Sequence, residues 1–199
     1  MKIAIAISIF AVASAAHADW DPQFGARLTL GGGAYVSEAR PDPWPLFELG
    51  LRADMLLGER RPDQVRFGPA LDLRTEDFRT FEIAGALELF LPVGMGLGFT
   101  LVSGAGFGAR PEGRDGGLLL EQIAFGYRSF NYFSIYGWAV NVYAGTRIQL
   151  PEPRAWEITI GVEIDCELIF VIPFLFLYTL ATQGGDPDEP TAARRPPRF

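Results

Sequence analysis

The chain has 199 residues, 49% of them hydrophobic, and a formal net charge of −7. This length suits a single domain, and the acidic balance argues against nucleic-acid binding. Cys166 is the one cysteine, which excludes an intramolecular disulfide. We expect Cys166 to be a small apolar residue, with an intermolecular bridge as the alternative.

Residues 1–18 are predicted to be a secretory signal peptide. Lys2 is followed by an apolar core, Ile3–Ala13, and Ala16-His17-Ala18 is a small-x-small cleavage site. The alternatives for this stretch are a buried strand or a membrane anchor. Cleavage would remove the single lysine and the single histidine, which leaves 16 arginines and 24 acidic residues, or 16 − 24 = −8. We expect a barrel domain over residues 19–182 and a disordered tail over residues 183–199.

Apolar and polar residues then alternate with period 2, which is typical of strands that have two different surroundings. Each segment is near the ~9–11 residues that a tilted strand needs to cross a bilayer. Prolines and glycines separate the segments. Eight strands are predicted: Phe24–Val36, Leu46–Leu57, Val65–Thr75, Arg79–Leu91, Met95–Gly108, Leu118–Phe130, Ile135–Gln149 and Ala155–Asp165.

The wide, continuous face of these strands is apolar, which favours an all-β fold: a closed antiparallel transmembrane barrel with lipid outside and charges in the lumen. With the N-terminus in the periplasm, Ser37–Pro45 and Ala109–Gly117 become long, polar outer connections. Aromatic residues near the strand ends predict two interfacial girdles. One is expected at the outer rim (Trp44, Phe47, Phe81, Phe107, Trp156) and one at the periplasmic rim (Trp20, Phe24, Phe90, Phe130, Tyr132, Phe133, Tyr136).

The inward positions carry both signs of charge, and a barrel of eight strands is narrow enough to be filled by side chains. In an antiparallel hairpin, the residue numbers of facing residues have a constant sum. The predicted pairings place Asp54 opposite Arg66 (sum 120), Arg74 opposite Glu82 (sum 156) and Arg147 opposite Glu157 (sum 304). Buried charges need partners, so we predict an ionic core rather than an open channel. The alternative is a set of weak pairs on the wet face of a soluble sheet. The predicted network comprises Glu48, Arg52, Asp54, Arg66, Asp72, Arg74, Glu82, Glu88, Arg128, Arg147, Glu157 and Glu163.

No catalytic, cofactor or metal site is expected. Gly104–Ala109 matches a dinucleotide-binding pattern, but Arg110–Gly113 is a loop where that site needs a helix. The inward carboxylates face arginines and are interpreted as structural rather than as an acid–base pair. After cleavage no histidine remains for a catalytic triad or a histidine-bound metal, and no lysine for a Schiff base.

Over about Phe24 to Asp165, the pattern resembles the small eight-stranded outer-membrane barrels of the OmpA and OmpX kind. The last strand carries Thr159-x-Gly161-x-x-Ile164-x-Cys166, which is similar to the signal that barrel-insertion machinery reads. The resemblance implies an outer-membrane location in a Gram-negative envelope. It also implies contacts with lipid, the insertion machinery and periplasmic chaperones; any surface partner is unknown.

The C-terminus departs from that class, because residues 166–182 add an apolar stretch that does not alternate. It is predicted to extend strand eight into a short helix, with further strands (ten in all) as an alternative. The expected role is structural or interactive. The alternatives are a narrow pore or transporter and a soluble periplasmic barrel that binds lipid.

Overall fold

The computed structural model describes residues 21–37, 40–59, 61, 63–109, 116–130, 138–150 and 155–183. It contains eight strands: β1 (Gln23–Ser37), β2 (Arg40–Leu56), β3 (Arg66–Glu76), β4 (Phe81–Gly94), β5 (Leu97–Ala109), β6 (Gly116–Ser129), β7 (Trp138–Leu150) and β8 (Ala155–Asp165). Each strand pairs antiparallel with the next, and β1 pairs with β8 from Arg27–Asp165 to Ser37–Ala155, which closes the sheet. The predicted closed antiparallel barrel of eight strands is confirmed. The predicted signal peptide and tail lie outside the described residues, apart from Gln183.

Side chains alternate between the interior and the exterior, as the sequence period requires. On β4, Glu82 and Glu88 are buried, whereas Ile83 and Leu87 between them are exposed. The alternation recurs on the other strands, so that the exterior of the barrel is mostly apolar. The interior holds the charged residues and a smaller apolar cluster: Ala70, Ala84, Ala86, Val102, Leu118 and Leu120.

The barrel has two ends, which we name by their connections. At the terminal end β1 begins and β8 ends; at the distal end β1 connects to β2 and β7 connects to β8. Outward aromatic residues lie near both ends: Phe24, Phe99, Phe125, Tyr127 and Trp138 at the terminal end, and Phe47, Phe81, Phe107 and Trp156 at the distal end. Phe90 is not part of a girdle, because it is 1% exposed inside the barrel and packs on Phe130 at 5.3 Å. Trp44 lies in the inward phase of β2. Trp20, Tyr132, Phe133 and Tyr136 lie outside the described residues.

The long outer loop predicted over Ser37–Pro45 is wrong, because β2 already begins at Arg40 and Ser37 pairs with Arg40. The prolines at 41, 43 and 45 are compatible with a strand here for a geometric reason. β3 pairs with β2 no further than Glu48, and beyond it the Phe47 N–H donates to Asp77 Oδ1 at 3.0 Å. The backbone N–H and C=O groups of odd-numbered residues in β2 therefore point to the side of the strand where β3 has already ended. Prolines on such an open edge lose no ladder hydrogen bond.

The hairpin between β4 and β5 is tighter than predicted. The strand continues through Pro92 to Gly94, which pairs with Leu97. Met95 and Gly96 form the turn with φ of 50° and 79°. Two positive φ values in a two-residue loop are typical of a type I′ turn, whose twist matches that of the strands.

The register predicted for β2 and β3 is wrong by four residues. The structure pairs Arg52 with Asp72 and Asp54 with Ala70, a residue sum of 124 rather than 120. The bridge between Leu57 and Phe67 has the same sum, so the connection is centred further along the chain. An even shift keeps every side chain on its predicted face and changes only its partner. The registers predicted for β3–β4 and β7–β8 are observed.

The apolar C-terminal stretch forms a helix rather than a longer strand. β8 ends at Asp165, whose side chain accepts the Glu167 N–H at 2.8 Å. A π-helical turn (Glu167–Val171) leads into α1 (Ile172–Gln183), with Phe174 and Phe176 exposed. Among the described residues no helix has the length and apolarity needed to span a membrane. Burial and the Asp165 carboxylate raise the pKa of the Cys166 thiol.

Candidate functional site

The interior of the barrel is the candidate functional site, because the buried charges gather there. All twelve residues of the predicted network are at most 5% exposed. They come from inward positions of six strands, β2 to β4 and β6 to β8, and Arg27 of a seventh strand, β1, joins them. Three groups can be distinguished along the barrel, and each is defined below by its residues.

The terminal cluster consists of Arg27, Asp54, Glu88 and Arg128. Arg27 Nη2 lies 2.7 Å from Asp54 Oδ2 and 2.6 Å from Glu88 Oε2. Arg128 binds the other oxygen of each carboxylate, Glu88 Oε1 at 2.6 Å and Asp54 Oδ1. Two arginines and two carboxylates thus alternate in a closed ring, in which each charge has two partners of opposite sign. The cluster is formally neutral.

The central cluster consists of Arg52, Asp72, Gln122 and Glu163. Arg52 binds Asp72 through Nε (2.8 Å) and Nη2 (2.6 Å), and reaches Glu163 through Nη1 at 2.8 Å. Gln122 accepts a hydrogen bond from Arg52 and donates one to Glu163 at 2.6 Å. Arg27 Nη1 lies 3.4 Å from Glu163 and links this cluster to the terminal one.

The distal cluster consists of Glu48, Arg74, Glu76, Glu82, Arg147 and Glu157. Arg147 reaches four of these carboxylates: Glu48 at 2.5 Å, Glu76 at 3.1 Å, Glu82 at 3.4 Å and Glu157 at 3.6 Å. Arg74 binds Glu48 and also Asp72, which connects the distal and central clusters. With four carboxylates and two arginines, the distal cluster has a formal charge of −2.

Arg66 lies apart from these clusters, at the terminal end. Its guanidinium donates to the backbone carbonyls of Glu59 (2.5 Å) and Asp21 (3.4 Å) and stacks on Phe130 at 4.2 Å. The predicted contact with Asp54 is therefore replaced by contacts that tie the first residues of the described chain to the β2–β3 connection.

Tyr143 crosses the interior and needs two glycines to do so. Its hydroxyl donates to Glu48 Oε1 at 2.7 Å. Gly31 and Gly161 face each other on β1 and β8, directly beside the ring. A methyl group at Gly161 would lie 2.7 Å from Tyr143 Cε1, and one at Gly31 would collide with the hydroxyl. These glycines therefore make room for a phenol that satisfies a buried carboxylate.

Several further residues belong to the interior network beyond the predicted twelve. Glu76 was assigned to a connection, although it is the last inward residue of β3. Gln122, Asn141 and Tyr143 also occupy inward positions, and Asn141 donates to Glu163 at 3.1 Å. The period-2 alternation that places the charged residues inside the barrel also places these residues inside it. Their inward positions on β3, β6 and β7 could therefore have been predicted from the sequence.

The chemistry available to the interior is limited by its arginines. Oxygens of Glu76, Glu82 and Glu157 lie within 4.8 Å of one another, a spacing that suits a divalent cation. Arg147 contacts all three, so a guanidinium already supplies positive charge at that point.

Comparisons with known proteins add a likeness of fold. No family model and no curated protein matches the chain. A de novo designed transmembrane β-barrel matches with 8% identity and a TM-score of 0.34, over 71% of this chain and 94% of that one. The Yersinia pestis outer membrane protein Ail, in a phospholipid bilayer nanodisc, matches with 8% identity and a TM-score of 0.35, over 71% of this chain and 99% of that one.

Proposed function

We propose that this protein is an outer-membrane β-barrel whose lumen is plugged by paired charges, and that its role is structural or lies in surface interaction. One observation carries the proposal: the barrel exposes its apolar side chains and buries its charged ones. Ile160 is 68% exposed and Ile158 60%, whereas Arg52 and Glu163 are fully buried.

An apolar exterior of this extent suits lipid and not water. Monomeric soluble proteins rarely expose contiguous apolar patches larger than a few hundred Å². In a membrane, by contrast, a closed barrel satisfies every strand hydrogen bond internally and presents only side chains to the hydrocarbon. The interior includes a cluster of apolar residues beside the buried charges: Ala70, Ala84, Ala86, Val102, Leu118 and Leu120. Arginines and carboxylates line much of the rest of the interior, which weighs against the soluble lipid-binding alternative.

The contacts of the interior support a plug rather than a pore. The terminal cluster joins β1, β2, β4 and β6 across the lumen by bridges of 2.6 to 2.7 Å. A water-filled pore needs a continuous lumen, and here arginine side chains cross it at three levels. By resemblance, the partners are outer-membrane lipid, the insertion machinery and periplasmic chaperones. An enzymatic role and a cofactor are not part of the proposal, because the interior carboxylates are engaged by arginines.

Envelope fractionation with heat-modifiability tests the membrane assignment. We expect the protein in the detergent-resistant outer-membrane fraction, with an unboiled band that migrates faster than the boiled band on SDS gels. A single band in the soluble periplasmic fraction would contradict the assignment and favour the soluble barrel.

Planar-bilayer conductance tests the plug. We expect no steady channel current from the unchanged protein. The double variant Arg52→Ala with Asp72→Ala keeps the net charge and removes one of the three crossing levels, so it should also stay closed while the terminal and distal clusters are intact. Stable single-channel currents from the unchanged protein would favour the narrow pore.

A further inference from the structure

One row of polar residues interrupts the mostly apolar outward face of the barrel. Ser103 on β5, Glu121 on β6 and Thr146 on β7 are direct cross-strand partners. Among the outward positions of the eight described strands, Glu121 is the one with a charged side chain. Thr75 and Ser129, the further outward residues with aliphatic hydroxyls, lie at strand ends.

The row lies at mid-height of the barrel, the level that in a membrane is farthest from both interfaces. Ser103 is the central residue of β5, and Glu121 and Thr146 lie within two residues of the centres of β6 and β7. Ser103 Oγ donates to Glu121 Oε1 at 2.7 Å. Within the described chain, no hydrogen bond reaches the second carboxylate oxygen. An ionisable group at this depth in a membrane has a high free-energy cost, and such groups usually mark functional sites.

Small side chains lie near the row at three outward positions, among larger ones such as Leu119 and Ile123. Gly85 and Ala105 face each other on β4 and β5, and a methyl group at Gly85 would meet nothing within 4 Å. Ala144 lies two residues from Thr146 on the same exposed face. Proteins associate within lipid through such combinations of small residues, which allow close packing, and polar residues, which hydrogen-bond across the contact.

We propose that this row is the contact site for a second copy of the chain, with the two barrels side by side and a two-fold axis near Glu121. Self-complementarity supports this contact: the row holds a free acceptor, the second carboxylate oxygen of Glu121, beside the hydroxyl donor of Thr146 on the neighbouring strand. The single Ser103 hydroxyl hydrogen is already donated to Glu121 of the same chain. A two-fold axis between β6 and β7 therefore brings each Glu121 carboxylate to the Thr146 hydroxyl of the other copy. The inference rests on the proposed membrane location, because in water the carboxylate would simply be hydrated.

Cysteine cross-linking in native membranes tests the contact. In a Cys166→Ser background, Ala144→Cys on β7 lies beside the row. Ala53→Cys is the matched control on β2, which is four strands from the Glu121 strand β6 and on the opposite side of the barrel. We expect oxidation to give a disulfide-linked dimer for Ala144→Cys and not for Ala53→Cys. Adding Glu121→Leu should lower the dimer fraction on the order of tenfold, as expected for the loss of two membrane-buried polar contacts. Glu121→Gln, which keeps donors and acceptors, should retain most of it.

The outcomes separate this inference from the proposed function, because heat-modifiability is read from the same samples. Folded barrels in the membrane that cross-link equally from both faces, or from neither, overturn the dimer and leave the membrane assignment intact. The dimer is also overturned, and the membrane assignment left intact, if Glu121→Leu leaves the dimer fraction unchanged or if the cross-linked product contains a different protein. Recovery of the protein from the soluble fraction overturns both.

Discussion

The two ends of the barrel interior solve the same electrostatic problem differently. In the terminal cluster two arginines and two carboxylates form a ring, and each carboxylate is held by both Arg27 and Arg128. In the distal cluster a single guanidinium, Arg147, reaches four carboxylates at 2.5 to 3.6 Å. The terminal arrangement is neutral and redundant, whereas the distal one is acidic and relies mainly on Arg147, with Arg74 as a second cation on Glu48.

This difference matters because a buried charge that loses its partner is far more costly than the pair was favourable. Where every charge has two partners, the loss of one leaves the other in place. Where one cation reaches four anions, its loss removes the arginine contact that Glu76, Glu82 and Glu157 share. Arg74 then remains on Glu48. The distal end should therefore be the more fragile part of the core.

Arg147→Ala is expected to have the largest effect on stability, a loss of about 3–5 kcal/mol, which is typical of breaking a buried ionic network. Arg128→Ala is the matched control, and its loss should be smaller, because Arg27 still holds Asp54 and Glu88. Urea titration in detergent, followed by the fast-migrating unboiled band, measures both. Equal losses, or a larger loss for Arg128→Ala, would show that redundancy does not protect the terminal cluster.

Neutralising one carboxyl group at each end should give effects of different size and sign. Asp54→Asn in the neutral ring leaves arginine charge uncompensated and should cost about 1–3 kcal/mol. Glu82→Gln in the acidic cluster removes repulsion among carboxylates and should be neutral or stabilising. The same urea titration compares them. A Glu82→Gln variant less stable than Asp54→Asn would contradict the formal charge imbalance on which the comparison rests.

A double-mutant cycle on Arg147 and Glu157 sharpens the comparison within the distal cluster. Because Glu157 faces Arg147 across β7 and β8, Glu157→Ala added to Arg147→Ala should restore part of the lost stability. The coupling energy should be about 0.5–3 kcal/mol. Simple additivity of the two changes would mean that the two side chains do not act on each other in the folded barrel.

The fold followed from period-2 alternation, since alternation both defines strands and assigns faces. Leu51 and Arg52 show why this works: the apolar exterior and the charged lumen differ so strongly that adjacent residues cannot exchange places. The extension of β2 over residues 40–45 was not predicted, because prolines usually interrupt strands. Their tolerance at positions 41, 43 and 45 depends on where β3 ends, and that is a property of the neighbouring strand.

The interior site was predictable in its membership and less so in its contacts. The residue-number sums of hairpins relate only neighbouring strands. They correctly place Arg147 opposite Glu157, and Arg147 Nη1 lies 3.6 Å from Glu157 Oε2. The bridge from Arg27 to Glu88 joins β1 to β4 across the lumen, and no register of adjacent strands reveals it. The length and direction of the arginine side chains decide such contacts, and the sequence pattern carries neither.

The smallest effect that we predict comes from an uncharged donor of the distal cluster. Tyr143→Phe removes the hydroxyl that donates to Glu48 at 2.7 Å while the ring stays between Gly31 and Gly161. Glu48 keeps Arg74 and Arg147, so we expect a loss of about 1–2 kcal/mol, the range of a hydrogen bond to a charged group. Tyr127→Phe, on the outward face near the terminal end, is the matched control and should change stability by much less. If Tyr143→Phe had no effect in urea titration, the two arginines alone would satisfy Glu48. The acidic end would then be better compensated than its charge count implies.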